Sequence, residues 1–234
     1  MIDNLNAGQL QFYNILTDIL ECKYGKSSTD GGLGFSRLVF LRGRGGTGKS
    51  TCVNAVRNML AATEEVVMAT TGKAATVIGG STVFSKKNGL ALPIGKTFNQ
   101  LPAGPILRRL QDKYKYVRVI FVDECSMLHQ KHLHFMDQRL QQIKCNNFIF
   151  GGIIVILIGD TGQLPAVLGR VMWEKKPKTP FHIAGLNLYR EFQTVVTLKE
   201  NLRLEQDDLE ATFYDACLTR LRDGKCTSDD YNQI

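Results

Sequence analysis

Apolar residues along this chain follow two rhythms. Between Leu5 and Leu20 they recur at Phe12, Ile15, Leu16, Ile19 and Leu20, the spacing of one helical face, with Asn6 as N-cap. Elsewhere they form short, nearly continuous runs: Arg37–Leu41, Glu65–Ala69, Val117–Val122, Ile153–Ile158 and Thr194–Leu198. Such runs predict strands buried on both faces. Helical stretches lie between or after them, marked by Val53, Val56, Met59 and Leu60, by Leu133, Met136, Leu140 and Ile143, and by Leu209, Phe213 and Leu221, the last stopping near Gly224. Strands alternating with helices predict an α/β fold, a parallel sheet covered by helices on both faces. Lys26–Gly34 reads as a loop, and Ser85–Gly104, with Gly, Pro and Lys but no period, as an excursion from the core. No internal repeat is present.

Composition narrows this little. An apolar fraction of 44% with 22% charged residues is that of an ordinary globular protein, and 234 residues suffice for one large domain. The longest apolar run, Gly151–Gly159, is strand-sized, so no membrane-spanning helix is expected. The N-terminus has no basic segment followed by an apolar one, which argues against a secretory signal. Six cysteines without a Cys-x-x-Cys pair read as reduced thiols of an intracellular protein. The excess of 29 Lys and Arg over 22 Asp and Glu suits a polyanionic partner without naming one. Residues 1–24 are expected to form an N-terminal helical element of a single domain spanning 1–234. Thr227-Ser228-Asp229-Asp230 opens a fresh helix four residues before the last, so the chain is expected to be a fragment of a longer protein.

The chemistry lies at the ends of the predicted strands. Gly43-Arg44-Gly45-Gly46-Thr47-Gly48-Lys49-Ser50 fits G-x-x-x-x-G-K-[ST], with a strand before it and a helix after. Its glycines allow backbone N–H groups to turn toward phosphate oxygens, and the helix dipole adds positive potential. Gly43, Gly45, Gly46, Thr47, Gly48, Lys49, Ser50 and the following Thr51 are the expected ATP contacts, Lys49 reaching the β- and γ-phosphates and Ser50 ligating Mg²⁺. Val119-Ile120-Phe121-Val122-Asp123-Glu124 is an apolar strand ending in two carboxylates. Asp123 is placed to hold Mg²⁺ and Glu124 to polarise an attacking water. Ile158-Gly159-Asp160-Thr161-Gly162-Gln163-Leu164-Pro165 is a third strand ending in polar residues, where Gln163 would sense the γ-phosphate or position water. In a parallel sheet these ends converge on one crevice.

Taken together, these pieces resemble the PIF/RecD-like group of superfamily 1 helicases, including the helicase portion of Helitron-type transposons. Leu5-Asn6-Ala7-Gly8-Gln9 is similar to the adenine-reading motif that opens the family. Ala69-Thr70-Thr71-Gly72-Lys73-Ala74-Ala75 and Ile78-Gly79-Gly80-Ser81-Thr82-Val83-Phe84-Ser85 resemble its first DNA-contacting segment. Asp123-Glu124-Cys125-Ser126-Met127-Leu128 resembles DE-x-SM, Gly159–Pro165 resembles GD-x-x-QLPP, and Leu198-Lys199-Glu200-Asn201-Leu202-Arg203 resembles L-x-x-N-x-R. Ala166 stands where the family commonly has a second Pro, and Phe84 where it often has His. The resemblance implies a RecA-like P-loop NTPase domain, the first of two motor domains of a monomeric ATPase and 5′→3′ DNA helicase in repair or recombination, with weak or incomplete activity expected from this chain alone. It implies Gln9 on the adenine, Thr71, Gly72, Lys73, Thr82, Phe84 and Ser85 on single-stranded DNA, and Arg203 as an arginine finger. The compartment would be the nucleus or mitochondrion of a eukaryote, or the cytoplasm of a bacterial or viral host.

Other readings stay open at this level. Cys125, His129 and His132, with His134 nearby, have a spacing that could face one way on a helix, but a packing helix explains them better than a metal. Lys86, Lys87 and Lys96, interleaved with Phe84 and Phe98, suit single-stranded DNA or a solvated loop equally. An ATP-gated nucleic-acid-binding module without motor action and a P-loop small-molecule kinase are the rival functions. Glu124, Gln163 and Arg203 are what a kinase does not require.

Overall fold

The structure is a computed structural model that describes residues 4–21, 37–95, 97–163, 169–202 and 209–233. Arg203, the loop at 26–34, Lys96 and Leu164-Pro165-Ala166 lie outside them. Among the described residues, six strands form one sheet: β1 (Leu38–Gly43), β2 (Glu65–Ala69), β3 (Ser81–Thr82), β4 (Val119–Asp123), β5 (Ile154–Gly159) and β6 (Thr194–Leu198). Their spatial order is β3-β2-β4-β5-β1-β6, and every pairing is parallel. The helices are α1 (Ala7–Glu21), α2 (Lys49–Arg57), α3 (Gly72–Val77), α4 (Pro105–Tyr114), α5 (Gln130–Lys144), α6 (Pro180–Arg190), α7 (Leu209–Arg222) and α8 (Ser228–Gln233).

Alternation along each strand divides the core in two, because successive side chains point to opposite faces. Val39 and Leu41 of β1, with Phe121 of β4 and Ile156 of β5, pack against Phe12 and Leu16 of α1 and Val56 of α2. Leu38 and Phe40, with Val122, Val155 and Leu157, face Leu110 and Tyr114 of α4 and Leu133, Phe135, Met136 and Leu140 of α5. All six residues of β5 are buried. Truncating a central one, such as Ile156, to Ala would cost about 2–5 kcal/mol.

Two expectations need correction. Ser85–Gly104 is not an excursion throughout: Leu90, Ala91 and Leu92 are buried in the same core as α5. The turn that returns them requires Gly89, whose Cβ would overlap the Thr82 carbonyl. Cys125, His129 and His132 do not share a helical face. Cys125 lies in a 3-10 turn, Cys125–Met127, and His129 is the N-cap of α5. Among the described residues no group of three His, Cys, Asp or Glu side chains is arranged to hold a metal.

The predicted cap of α1 forms. Asn6 Oδ1 accepts from Gln9 N at 2.9 Å. At α8, Thr227 Oγ1 accepts from Asp230 N at 3.3 Å while Asp230 Oδ2 accepts from Thr227 N at 2.8 Å, a reciprocal capping box. No described helix is long and apolar enough to cross a membrane.

Candidate nucleotide-binding site

The P-loop leaves β1 at Gly43 and enters α2 at Lys49. Two glycines are required by geometry. Gly48 has φ +81, and a Cβ there would overlap Gln9 Nε2. A Cβ on Gly43 would overlap Thr47 Oγ1. Thr47, almost fully buried, turns that hydroxyl back onto the Arg44 carbonyl at 2.9 Å and so closes the loop. Lys49 Nζ spans the loop mouth, donating to the Gly43 and Arg44 carbonyls at 2.7 and 2.8 Å. Ser50, Thr51 and Gly45 are exposed at the rim.

β5 is inserted between β1 and β4. Strands spaced about 4.8 Å apart put the axes of β1 and β4 about 10 Å from each other. Asp123 ends β4 and Glu124 follows it, and both are half-buried. Burial pushes the Asp123 carboxyl above the ordinary range, opposed by the N–H of Glu124 and by Lys49. Glu124 is also raised, first by burial and then by the Asp123 charge, with Lys49 opposing and Asp160 adding. Lys49 therefore acts electrostatically on both carboxylates, across the strand that separates them. Glu124 itself has a left-handed backbone, φ 51 and ψ 41.

The third strand end is built around Asp160, which is 5% exposed. Its Oδ1 accepts from Gly162 N at 2.9 Å, and its carbonyl accepts from Gln163 N at 3.2 Å. Gln163 thus sits on a capped turn at the same edge as Glu124, with its side chain exposed. The segment after β6 crosses the P-loop: Leu202 N donates to the Gly46 carbonyl at 2.9 Å. Arg203, next in the sequence, lies outside the described residues. Gln9 packs on Gly48 from the other side. It is 1% exposed, its Oε1 accepts from Asn6 N at 3.0 Å, and its Nε2 is buried without a protein partner. A buried amide donor left unmade is costly, and a ring-nitrogen acceptor would satisfy it.

These features test the fit of a magnesium nucleotide. The glycine cradle, the orphaned Gln9 amide and a hydroxyl-plus-carboxylate oxygen set from Ser50 and Asp123 suit a purine base, a polyphosphate and a hard divalent cation respectively. The residues present fit.

The predicted DNA face lies beyond β2. Thr71 Oγ1 caps α3 by accepting from Ala74 N at 3.2 Å, and Gly72 and Lys73 are exposed on that first turn. Thr82 and Ser85 are half-buried on β3 and just after it. Phe84 packs against the core with its ring edge-on to His132 at 5.0 Å, so its ring is a wedge between the segment and α5 more than an open stacking platform.

Sequence reasoning missed several residues that the fold brings here. Thr70 Oγ1 donates to the Glu124 carbonyl at 2.9 Å. Arg222 Nη2 donates to Asp160 Oδ1 at 2.6 Å. Arg44 Nη2 donates to Asp215 Oδ2 at 2.6 Å, and Asn201 Nδ2 to Asp215 Oδ1 at 2.9 Å. Arg42, Arg44, Asp160, Lys199, Thr219 and Arg222 wall a cavity of about 350 Å³ at this edge. No sequence pattern joined α7 to the P-loop. Thr70 itself stands in the Ala69–Ala75 segment that resembles the DNA-contacting motif; what the sequence does not show is its bond to Glu124.

A glycine loop between a parallel strand and a helix, facing an Asp-Glu strand end across one inserted strand, defines a P-loop NTPase domain. The family model for PIF1-like helicases matches residues 28–232. The chain belongs to that family. It is 37% identical over 134 residues to the ATP-dependent DNA helicase Pif1 of Psychrobacter sp. (strain PRwf-1), covering 56% of this chain and 20% of that protein. It is 30% identical over 198 residues to the ATP-dependent DNA helicase PIF1 of Candida albicans, covering 82% of this chain and 21% of that one. The crystal structure of Pif1 helicase from Candida albicans superposes with a TM-score of 0.67 at 26% identity, over 97% of this chain and 45% of that chain. Bacteroides Pif1 bound to ssDNA gives 0.69 at 24%, over 97% and 48%. The fold is accordingly the RecA-like α/β domain. The chain spans about a fifth of the length of these curated relatives and about half of the solved chains.

Proposed function

We propose that this chain is the first motor domain of an ATP-dependent DNA helicase, binding ATP–Mg²⁺ and single-stranded DNA, and that in the intact protein a second motor domain completes a monomeric 5′→3′ motor. One observation carries the reading. The P-loop, the Asp123–Glu124 pair and the Gln163 turn end three neighbouring parallel strands at one edge, with Lys49 acting electrostatically on both carboxylates.

In this reading Gln9 Nε2 donates to the adenine, and the backbone of Gly43, Gly45, Gly46, Thr47 and Gly48 cradles the phosphates. Thr51 lies beside them on the first turn of α2. Lys49 balances charge on the β- and γ-phosphates. Ser50 and Asp123 would hold Mg²⁺, which would neutralise negative charge on the phosphates. Glu124 takes the proton of the attacking water, and burial and the Asp123 charge raise its proton affinity in the direction a general base needs. Gln163 orients that water, and Arg203 meets the charge that develops on the transferred phosphoryl group. Thr71, Gly72, Lys73, Thr82 and Ser85 contact the DNA backbone, with Phe84 holding the segment against α5. The protein is intracellular in this reading, working on DNA.

The test is a nucleotide titration of Lys49→Ala with a non-hydrolysable ATP analogue. Affinity should fall by at least tenfold, the loss of one charge-assisted phosphate contact; unchanged affinity overturns the site. Turnover by the wild-type chain should rise on adding oligothymidine, and that rise should weaken with salt as phosphate contacts are lost.

A further inference from the structure

Glu124 is a non-glycine residue held in the left-handed region, φ 51 and ψ 41. L-residues reach that region at a cost of about 1–2 kcal/mol, so the surroundings must hold it there. Three hydrogen bonds do so. Glu124 N donates to Asp123 Oδ1 at 2.8 Å, and the Glu124 carbonyl accepts from Met127 N at 3.1 Å. Both come from the same turn and travel with it. The third comes from another strand: the Thr70 hydroxyl donates to the same carbonyl at 2.9 Å.

Thr70 has two attachments. Behind it, β2 is in register with β4, Ala69 opposite Asp123, so Thr70 continues alongside Glu124. Ahead of it, Thr71 caps α3, and consecutive Cα atoms are only 3.8 Å apart. A shift of the α3 N-terminus by a fraction of an ångström is therefore a shift of the Thr70 hydroxyl. Glu124 amplifies it. If the bond to its carbonyl is lost, the left-handed backbone can relax toward the extended region, which redirects Cα–Cβ and swings the carboxylate.

We propose that Thr70 is the positioning residue through which contact of single-stranded DNA with the Thr71–Ser85 segment sets the orientation of Glu124. Thr70 touches neither nucleotide nor DNA in this scheme. It turns occupancy of the DNA face into the geometry of the base. The inference rests on the proposed function, because it takes that segment as the DNA contact and Glu124 as the base.

The experiment compares the wild-type chain with Thr70→Val, which keeps the shape and removes the donor, and Thr70→Ser, which keeps the donor. Backbone amide exchange across residues 119–128 is followed with and without oligothymidine at low salt, in the absence of nucleotide. In the wild type, oligothymidine should slow exchange at 124–128. In Thr70→Val, exchange there should be faster at the outset and indifferent to the oligonucleotide, while oligonucleotide affinity stays within about twofold. Thr70→Ser should follow the wild type. DNA-stimulated kcat should fall about tenfold in Thr70→Val, the worth of one hydrogen bond near the reacting atoms, with KM for ATP unchanged.

Oligonucleotide binding by the wild type without any effect at 124–128 overturns the proposal and leaves the DNA reading standing. So does equal damage in Thr70→Ser and Thr70→Val, which would mark a packing role. No oligonucleotide binding by the wild type overturns both.

Discussion

Arg222 at the end of α7 donates to the buried carboxylate of Asp160 at 2.6 Å, tying the last turn of that helix to the turn that carries Gln163. Asp160 Oδ1 also accepts from Gly162 N, so one oxygen receives both the internal cap and the external cation. A Cβ on Gly162 would overlap the Arg222 side chain, which fixes how closely the two approach. Removing one partner of a charge-assisted bond leaves the other unpaired, at about 1–3 kcal/mol. Arg222→Ala should lower stability by that amount in a denaturant titration. Asp160→Ala in the Arg222→Ala background should cost clearly less than it does alone. ATP turnover should fall with little change in KM, since the Gln163 turn loosens while the P-loop remains. Additive losses would mean that the pair does not couple.

Gly48 and Gln9 make a second interlocking pair. Gly48 is left-handed at φ +81, and its missing Cβ is what lets the Gln9 amide lie against the loop. Gly48→Ala should strain the loop and displace Gln9 together, abolishing nucleotide binding. Gln9→Ala is milder. It removes the amide proposed to read the base while leaving the phosphate cradle, so affinity for ATP should drop about tenfold while that for GTP changes little. Equal losses for both nucleotides in a competition titration would assign Gln9 a role in packing α1 only.

Much of the candidate site is legible in the chain because its chemistry is local. The glycine loop, the Asp-Glu strand end and the turn at Gln163 each occupy a few consecutive residues, and continuous apolar runs announce strands buried on two faces. What pairs residues across long separations was not legible. Asp160 and Arg222 stand 62 positions apart, and nothing in the sequence joins them. The helix α4 went unread because its inward residues, such as Leu110 and Tyr114, are few and separated by charged ones. The helix α6 went unread although Thr179 caps it and Pro180 opens it, a start signal that lacked a clear apolar stripe behind it. Leu90 and Leu92 were assigned to an excursion because buried loops carry no period. The register that sets Thr70 beside Glu124 depends on strand order, which local pattern does not encode.

With Glu124 as the proposed base, the pH dependence of hydrolysis is set by its carboxylate. Burial and the neighbouring Asp123 charge hold its proton above the ordinary glutamate value of 4.5. A base must be ionised, so the acid limb of kcat/KM should lie above 4.5 and vanish from the residual rate of Glu124→Gln. Turnover in that variant should drop about 10²–10⁴-fold with nucleotide affinity retained. The sign for stability is opposite. A carboxyl whose folded pKa is raised destabilises the fold when ionised, so neutral Gln should raise the melting temperature at pH 7. A variant less stable than wild type at that pH would contradict the electrostatic account.

The histidines predict how the domain fails in acid. All four in the chain, His129, His132, His134 and His182, gather where α5 meets α6 and Phe84. His132 is 5% exposed, with neither ring nitrogen hydrogen-bonded to protein, and burial pushes its pKa down to about 3, helped by His129 and Lys131. His129 is lowered by burial, Lys131 and His182; His134 by burial, against the pull of Asp137; His182 by burial, Arg170, Lys131 and Lys178. A lowered folded pKa means that the unfolded chain takes up protons that the folded chain refuses. Stability is therefore complete above the unfolded value of 6.5 and falls as pH drops from there toward 3. At about 1.4 kcal/mol per proton per pH unit, His132 alone should cost about 2 kcal/mol between pH 7 and pH 5. His132→Phe, which keeps an aromatic ring against Phe84 and Phe135, should remove that share of the slope and stabilise the fold at neutral pH by relieving two unpaired nitrogens. Urea titrations of both proteins across pH 7 to 5 would measure it. Parallel slopes for wild type and His132→Phe would show that His132 takes up its proton without leaving the fold.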